Sequence, residues 1–374
     1  MIKRQLEKVI QSGLNQGKAI ILLGPRQSGK TTLMETIASQ LGDYLLLDCD
    51  DPVVRQQLEN ANTEELKQIL SDYRLVFIDE AQRVKNIGLT LKIITDRFKE
   101  VQLLVSGSSS FEISNDINEP LTGRKWEYIL YPISWVEFES QVGYLKARQQ
   151  LEQRLIYGMY PDVINFQGKE QKVLKQLSGS YLFKDVFNFK GLRHPELLEK
   201  LLQLLALQLG NEVSYNYLAK ILQVDKNTIS NYLQLLEKSF VIFRLRTFSR
   251  NKKNEIKRGR KIYFYDTGIR NSLIGDFKPL ELRQDKGALW ENFLISERRK
   301  QLEYQEKIAG TYFWRTVSGQ EIDYIEEKDG ELYPFEFKWS TSKAKHSKAF
   351  SNFYHKEVKL INRDNFGSFV SEEI

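Results

Sequence analysis

The sequence predicts an α/β fold that begins with a parallel sheet, and three observations support this prediction. Short, largely apolar runs within 18–24, 74–80 and 101–105 have the pattern of strands buried on both faces. A stretch with helical periodicity, 33–41, follows the first run, as in a chain that alternates strand and helix. Each apolar run ends at glycine, carboxylates or serine, so we expect polar groups to collect at one edge of the sheet.

The composition is that of an ordinary globular protein with more than one domain. The 374 residues are 41% hydrophobic and 28% charged, which is enough material for two or three separate cores. A single cysteine, Cys49, excludes a disulfide scaffold and a multi-cysteine zinc site. The three histidines, His194, His346 and His355, are too scattered for a zinc-hydrolase cluster. No apolar run is long enough to span a bilayer and no secretory signal is evident, so we expect a cytoplasmic protein without membrane segments.

The net charge of +6 is concentrated in one segment. Residues 244–261 contain nine Lys or Arg and one Glu, so the remainder of the chain is close to neutral. This pattern indicates a local polyanion-binding segment rather than a generally basic protein.

The first apolar run leads into the pattern G-x-x-x-x-G-K-[ST], which is typical of a phosphate-binding loop. Glycines let backbone N–H groups surround phosphate oxygens, and the helix that follows adds the partial positive charge of its N-terminus. Lys30 is expected to reach the β- and γ-phosphates, and the Thr31 hydroxyl to ligate Mg²⁺. The predicted cofactors are therefore ATP and Mg²⁺. The predicted binding residues are Gly24, Pro25, Arg26, Gln27, Ser28, Gly29, Lys30, Thr31 and Thr32.

The next two strands supply further catalytic candidates at the same edge of the sheet. Asp79 is suited to holding the Mg²⁺ shell and Glu80 to polarising the attacking water. Ser106 is suited to sensing the γ-phosphate, with a plain serine-rich loop as the alternative. Arg124 fits either an arginine finger, from this subunit or a neighbour, or an ordinary surface arginine. A finger from a neighbouring copy would require a homo-oligomer.

Several motifs together resemble the predicted AAA+ ATPases of bacteria and archaea, which are P-loop NTPases that carry an uncharacterised C-terminal domain. The resemblance implies an ATPase core. The family often has threonine at the position where this chain has Ser106, so a hydroxyl is retained. The matching stretches are Gly24-Pro-Arg-Gln-Ser-Gly-Lys-Thr-Thr-Leu33, Phe77-Ile-Asp-Glu-Ala-Gln82, Ser106-Gly-Ser-Ser-Ser110, Leu121-Thr-Gly-Arg124, Tyr157-Gly-Met-Tyr-Pro161 and Lys261-Ile-Tyr-Phe-Tyr-Asp-Thr-Gly268. We assign the core to residues 1–130 and a helical lid or linker to 131–205.

Residues 206–270 have the pattern of a winged helix. Ser214 is a candidate N-cap for a helix over 215–222, and Asn227 for a second helix over 228–238. Strands over 240–246 and 261–265 would then enclose the basic hairpin.

The winged helix suggests binding of DNA or RNA, with the second helix in the major groove and the hairpin on phosphates. The alternatives are a protein–protein module and a solvated hairpin tip. The predicted phosphate contacts are Lys252, Lys253, Lys257, Arg258 and Arg260.

Residues 271–374 are predicted to form a smaller α/β domain. Asp329-Gly330 is a hairpin signal, and with this two-residue loop Asp323 lies opposite Glu336, with Lys338 on the same face. The other face would form a core. Its predicted members are Ile322, Tyr324, Tyr333, Phe335 and Phe337.

This arrangement is similar to the PD-(D/E)xK nuclease superfamily. The resemblance implies that Asp323 and Glu336 hold Mg²⁺, that Glu291 on the preceding helix assists, and that Lys338 positions the attacking water. The alternative is a surface ion pair between Glu336 and Lys338 on a solvated face.

Two functional hypotheses follow from these predictions. The first is Mg²⁺-dependent ATP hydrolysis coupled to nucleic-acid binding, with a C-terminal nuclease-like domain that is either active or degenerate. The second is a nucleotide-switched signalling or scaffold protein, whose winged helix and C-terminal domain bind protein partners.

Overall fold

The computed structural model describes residues 2–108, 120–181, 195–249, 259–316, 318–340 and 347–371. These residues form two compact units. The first unit comprises the chain up to Ile133 together with Lys238–Phe240, and the second comprises the other described residues. The predicted domain boundaries remain predictions.

The first unit contains a sheet of five parallel strands, and three of these strands are the predicted apolar runs. The strands are β1 (Ala19–Leu23), β2 (Leu45–Asp48), β3 (Leu75–Asp79), β4 (Gln102–Gly107) and β5 (Lys125–Ile129). Their order is β2-β3-β4-β1-β5, and every neighbouring pair is parallel. The carboxyl ends of β1, β3 and β4 therefore meet at one edge of the sheet.

Helices connect these strands, as parallel pairing requires. They are α1 (Leu6–Ser12), α2 (Lys30–Leu41), α3 (Pro52–Leu58), α4 (Thr63–Leu70) and α5 (Ile87–Arg97), with a 3₁₀ turn at Ala81–Arg83. Local sequence explains several of the helix starts. Asp51 caps α3, and Asn62 forms a capping box with Glu65 at the start of α4.

The second unit is richer in helices. The helices are α6 (Trp135–Val142), α7 (Tyr144–Tyr157), α8 (Pro161–Asn165), α9 (Glu170–Gln176), α10 (Pro195–Leu207), α11 (Tyr215–Leu222), α12 (Lys226–Lys238), α13 (Thr267–Ile274), α14 (Lys286–Tyr304), α15 (Ser347–Tyr354) and α16 (Phe366–Ser371). A π-helical turn at Leu177–Tyr181 and a 3₁₀ turn at Leu280–Leu282 complete this set. None of the described helices is long and apolar enough to cross a membrane.

The later part of the second unit contains a six-stranded mixed sheet. Its strands are β6 (Ile242–Thr247), β7 (Arg260–Phe264), β8 (Gly310–Arg315), β9 (Glu321–Lys328), β10 (Glu331–Phe337) and β11 (Lys359–Ile361). The order is β11-β10-β9-β8-β6-β7. The two strands of the predicted hairpin thus share one sheet with strands that the sequence assigned to a separate nuclease-like domain. Parallel pairing of β6 with β8 makes this connection.

The two helices predicted at 215–222 and 228–238 are present, with one correction to their capping, and the winged helix itself stays a prediction. The Ser214 side chain accepts a hydrogen bond from the Tyr217 N–H, as predicted. The cap of α12 is Asp225 rather than Asn227, because the Asp225 carboxylate accepts the N–H groups of both Asn227 and Thr228. The helix therefore begins at Lys226, two residues earlier than predicted.

The predicted register of the C-terminal hairpin is confirmed. Around Asp329-Gly330, Glu331 pairs with Lys328 and Phe335 with Tyr324. The predicted core face is wrong at one position. Ile322 packs with Ile325 and Trp314 on the opposite face from Tyr324, because a β-bulge shifts the pairing of β8 with β9.

Two of the family-like motifs, at 157–161 and 261–268, lie against each other in the second unit. The Asp266 carboxylate accepts the Met159 N–H at 2.6 Å and caps α13 through the Ile269 N–H at 3.0 Å. A Cβ on Gly158 would lie 2.1 Å from Asp266 Oδ1, and one on Gly268 would lie 2.0 Å from the Tyr157 carbonyl oxygen. These motifs therefore form a close backbone junction, which accounts for their glycines.

Candidate functional site

The loop between β1 and α2 takes a conformation that depends on its glycines. Gly24 has φ +151°, and a Cβ there would lie 2.2 Å from the Leu130 carbonyl oxygen. Gly29 has φ +93° and directly precedes α2. Both positions therefore favour glycine, as the phosphate-binding pattern predicted.

Lys30 is held inside this loop. Its side chain is buried, and its Nζ donates hydrogen bonds to the carbonyl oxygens of Gly24, at 3.0 Å, and Pro25, at 2.9 Å. The ammonium group therefore lies within the curve of the loop, where the pattern predicts a phosphate-binding cation.

Arg4 stabilises the phosphate-binding loop through hydrogen bonds that the sequence did not predict. Its guanidinium donates to the Ser28 carbonyl oxygen at 2.7 Å and to the Tyr131 carbonyl oxygen at 2.6 Å. Nothing local in the first residues of the chain marks this role, because both partners are distant in sequence.

The two predicted magnesium ligands are in contact. The Thr31 hydroxyl donates to Asp79 Oδ2 at 2.8 Å. The other oxygen, Asp79 Oδ1, accepts the Ser106 hydroxyl and, at 3.0 Å, the Glu80 N–H. The start of α2 and the ends of β3 and β4 thus meet at a buried carboxylate, and Ser106 contacts Asp79 directly. Ser109 and Ser110 lie outside the described residues.

Glu80 is set apart from the strand by its backbone. It takes a left-handed conformation with φ +50°, immediately after β3. Its carboxylate accepts a hydrogen bond from the Gln82 side-chain amide, which also donates to the Ser108 hydroxyl at 2.8 Å. Gln82 therefore orients the predicted catalytic carboxylate, a role that its motif position alone did not indicate.

The polar groups of this site fit Mg²⁺ and a nucleoside triphosphate. Among the described residues, the Ser28 hydroxyl and Gln82 Oε1 are buried without a hydrogen-bond partner. Buried polar groups of this kind normally have partners. Ser28 lies in the phosphate-binding loop and Gln82 contacts Glu80, so their unpartnered atoms favour a polar ligand at this site. A hydroxyl and a carboxylate, from Thr31 and Asp79, are the oxygen ligands that Mg²⁺ prefers.

Arg124 does not belong to this site within one chain. Its carbonyl oxygen accepts the Ala19 N–H, at the beginning of β1, whereas the phosphate-binding loop follows the end of that strand. The strand separates the two ends by about 15 Å. Arg124 instead pairs with Asp96 at 2.6 Å, and this hydrogen bond holds the pKa of Asp96 below its usual value. An arginine finger acting within the same subunit is therefore wrong, while one from a neighbouring copy stays a prediction.

The basic segment is only partly described. Lys252, Lys253, Lys257 and Arg258 lie outside the described residues. Arg260 is described, and its guanidinium lies over the Tyr215 ring at 5.6 Å.

Two other cations of the basic segment serve internal contacts. Arg244 forms an ion pair with Glu237, and Lys261 is buried. The expectation that the whole segment contacts polyanions is therefore wrong at these two positions, because local charge does not reveal buried partners.

Three carboxylates converge in the second unit. Glu291 on α14 and Glu321 and Asp323 on β9 offer oxygens that all lie within 4.8 Å of one another. Glu291 and Asp323 were predicted to share a metal, and Glu321 is an addition that the sequence did not suggest. Glu321 lies two residues before Asp323, so strand alternation could have indicated it.

Lys261 reaches this carboxylate group from β7. Its Nζ lies 2.8 Å from Glu291 Oε1 and also forms an ion pair with Glu321. Burial alone would lower the pKa of Lys261, but the nearby carboxylates raise it above its usual value.

The predicted partners Glu336 and Lys338 are adjacent to this group. Lys338 Nζ pairs with the buried Glu336 carboxylate at 2.9 Å. Asp323 Oδ2 accepts the Phe337 N–H at 2.7 Å, which fixes it beside β10. Burial, and then the Glu291 carboxylate, raise the pKa of Asp323 to about 7. Glu336 lies outside the group of three, whose oxygens come from Glu291, Glu321 and Asp323.

Comparison with known proteins supports the first site. Residues 16–139 match a family model described as an AAA domain. Two further models, both described as domains of unknown function (DUF8612 and DUF4143), match residues 148–280 and 286–368.

The chain also has relatives that match most of its length. An uncharacterized protein of Mycobacterium tuberculosis is 26% identical over 342 residues, which cover 90% of this chain and 74% of the relative. One of Haemophilus influenzae is 23% identical over 340 residues, covering 83% of this chain and 80% of the relative. Among solved structures, the Walker-type ATPase of Pyrococcus abyssi has a TM-score of 0.53 at 15% identity, and the match covers 73% of this chain and 96% of that one. The last similarity shows a shared fold.

The chain therefore contains a P-loop ATPase domain of the AAA type. The parallel sheet, the matched model and the Lys30–Thr31–Asp79 geometry agree on an ATP-binding domain of this class.

Proposed function

We propose that the first unit hydrolyses ATP with Mg²⁺ at the Lys30, Thr31, Asp79 and Glu80 site. The observation that carries this proposal is the 2.8 Å hydrogen bond from Thr31 to Asp79. It joins a hydroxyl from the first turn of α2, directly after Lys30, to a carboxylate at the end of β3. A structural glycine turn would not need that contact.

Each residue of the site has a distinct role in this proposal. The Lys30 ammonium, now bound by two carbonyl oxygens, binds phosphate oxygens. Thr31 and Asp79 hold Mg²⁺, which neutralises phosphate charge when it is bound. Glu80, oriented by Gln82, accepts a proton from the attacking water. Ser106 keeps the Asp79 carboxylate oriented.

Lys30→Ala in the full chain tests the binding step. Loss of a charge-assisted contact to phosphate should weaken the affinity for a non-hydrolysable ATP analogue by about 10- to 100-fold. The matched control is Lys18→Ala, which removes a lysine at the opposite edge of the same sheet and should bind normally. Isothermal titration in Mg²⁺ buffer gives both affinities. Equal affinity of folded Lys30→Ala and wild-type protein would refute this role.

We further propose that ATP hydrolysis is coupled to nucleic-acid binding through the helix pair and the basic segment. The helix pair supports this proposal, because Asn231 and Gln234 are exposed on α12 while Ile229 and Leu233 are buried. Binding through phosphates must weaken steeply with salt. DNA or RNA binding that is absent at low salt would favour the alternative, a nucleotide-switched protein that binds protein partners.

A second candidate activity is metal-dependent cleavage of phosphodiesters by the second unit. The convergence of Glu291, Glu321 and Asp323 favours it, since hard carboxylate oxygens suit Mg²⁺. Asp323 would hold the metal with Glu291 and Glu336 as the predicted co-ligands, and Lys338 would position the water. Bound metal would polarise the phosphodiester. Metal-dependent nicking of plasmid DNA that Asp323→Ala abolishes would support this activity.

A further inference from the structure

Lys261 contacts two members of the carboxylate group in the second unit. Only 1% of its side chain is exposed, and it forms ion pairs with Glu291 and Glu321, which come from two different elements. A buried ammonium without partners would be strongly unfavourable. The two carboxylates therefore fix Lys261 in this position.

Two hydrogen bonds occupy one carboxylate oxygen of Glu291, Oε1. Glu291 Oε1 accepts both the Lys261 ammonium, at 2.8 Å, and the Tyr263 hydroxyl. A carboxylate oxygen has two lone pairs available for such contacts. A metal ion can therefore bind this oxygen only if one of the two donors leaves.

The same position would suit a divalent cation. One oxygen from each of Glu291, Glu321 and Asp323 lies within 4.8 Å of the other two. The side chains of Glu291 and Glu321 remain 13% and 22% exposed, so ions from solvent can reach them. An ammonium and a divalent cation would repel strongly at contact distance, so they cannot both occupy the site.

We propose that Lys261 is the resident cation of the Glu291–Glu321–Asp323 group and competes with divalent metal for it. This inference rests on the proposed metal site. In wild-type protein the metal binds only by displacing the Lys261 ammonium from Glu291 and Glu321. Lys261 therefore determines the metal affinity of the second unit, although it comes from the strand that closes the basic segment.

Lys338 does not have this role. Its Nζ pairs with Glu336, and 37% of its side chain is exposed, whereas Lys261 contacts two members of the group directly. The two lysines of this region are therefore not equivalent, although both interact with Asp323.

The test is Mn²⁺ binding to full-length protein carrying Lys30→Ala, which weakens metal–nucleotide binding in the first unit. Adding Lys261→Met should tighten Mn²⁺ binding by about tenfold or more, because a competing charge is removed. Arg315→Met is the matched control. Arg315 lies 3.6 Å from the outer oxygen of Glu321, so its loss should change the affinity less than about threefold. Electron paramagnetic resonance of free Mn²⁺ gives both affinities without any activity assay.

The outcomes separate the two proposals. If Asp323→Ala abolishes Mn²⁺ binding but Lys261→Met leaves its affinity unchanged, the metal site stands and the role of Lys261 is refuted. If neither wild-type nor Lys261→Met protein binds Mn²⁺, the metal site itself is refuted. Should Lys261→Met fail to fold, Lys261→Gln removes the positive charge but keeps a side-chain amide that can donate a hydrogen bond to Glu291. Its Mn²⁺ affinity must then exceed that of wild type, and an equal or lower affinity would also refute the inference.

Discussion

Cys49 lies next to Asp79 of the proposed nucleotide site, and its thiol can be used to measure burial there. Its N–H donates to the Asp79 carbonyl oxygen at 3.1 Å, and its side chain is fully buried. Burial, and then the carboxylates of Asp48 and Asp79, raise the pKa of the Cys49 thiol to about 12. At pH 8 the reactive thiolate is therefore about one part in ten thousand of the folded protein.

We predict that iodoacetamide leaves Cys49 unmodified at pH 8 in folded protein and alkylates it rapidly in urea. As the pH rises towards 12 the thiolate population grows, so any native reaction should accelerate with pH. Mass spectrometry of timed samples measures both rates. Similar rates in folded and unfolded protein at pH 8 would show that the thiol is accessible and ordinary.

Residues whose role depends on local chemistry were predictable from sequence. Lys30, Thr31 and Asp79 lie in motifs whose spacing already specifies their function. Arg4 and Lys261 were not predictable, because their partners are distant in the chain and neither residue belongs to a recognisable local motif for its role. Lys261 belongs to a basic segment that suggested phosphate binding, but in the structure it is buried and forms ion pairs with carboxylates.

At the level of elements, turn residues predicted strand register correctly, whereas the alternation of apolar residues predicted the buried face less well. Asp329-Gly330 fixed the register of β9 with β10. The bulge between β8 and β9 then moved Ile322 to the other face, and no residue type marks that bulge in the sequence. Asp225 replaced Asn227 as the cap of α12, since Asp and Asn are both good N-cap residues and the sequence alone does not decide between two positions so close together.

The junction between α7 and α13 provides a prediction about stability. Gly268→Ala should lower the free energy of unfolding by about 1–3 kcal/mol, because its Cβ would lie 2.0 Å from the Tyr157 carbonyl oxygen. Gly287→Ala is the matched control, since no atom lies within 4 Å of a Cβ in that first turn of α14. It should be neutral or raise stability by up to about 1 kcal/mol. Urea denaturation compares the variants, and equal effects would disprove the close approach.

For the whole molecule, the order of elements was predictable and the grouping of strands was not. Apolar runs and glycines indicated the parallel sheet of the first unit. The second sheet combines strands from positions as far apart as Ile242 and Ile361. Pairing of β6 with β8 depends on contacts across the intervening helices α13 and α14, so it could not be derived from local patterns.

The central claim is that the Glu80 site hydrolyses Mg²⁺–ATP, and its most direct test is phosphate release by full-length protein. Glu80→Gln removes the carboxylate that accepts a proton from water, so kcat should fall by about 100-fold or more. ATP binding should remain close to that of wild type, because the phosphate-binding loop is unchanged. Glu100→Gln, at an exposed glutamate on the opposite edge of the sheet, should hydrolyse ATP normally. Hydrolysis by Glu80→Gln at the wild-type rate, or no Mg²⁺-dependent hydrolysis by the wild-type protein, would contradict the claim.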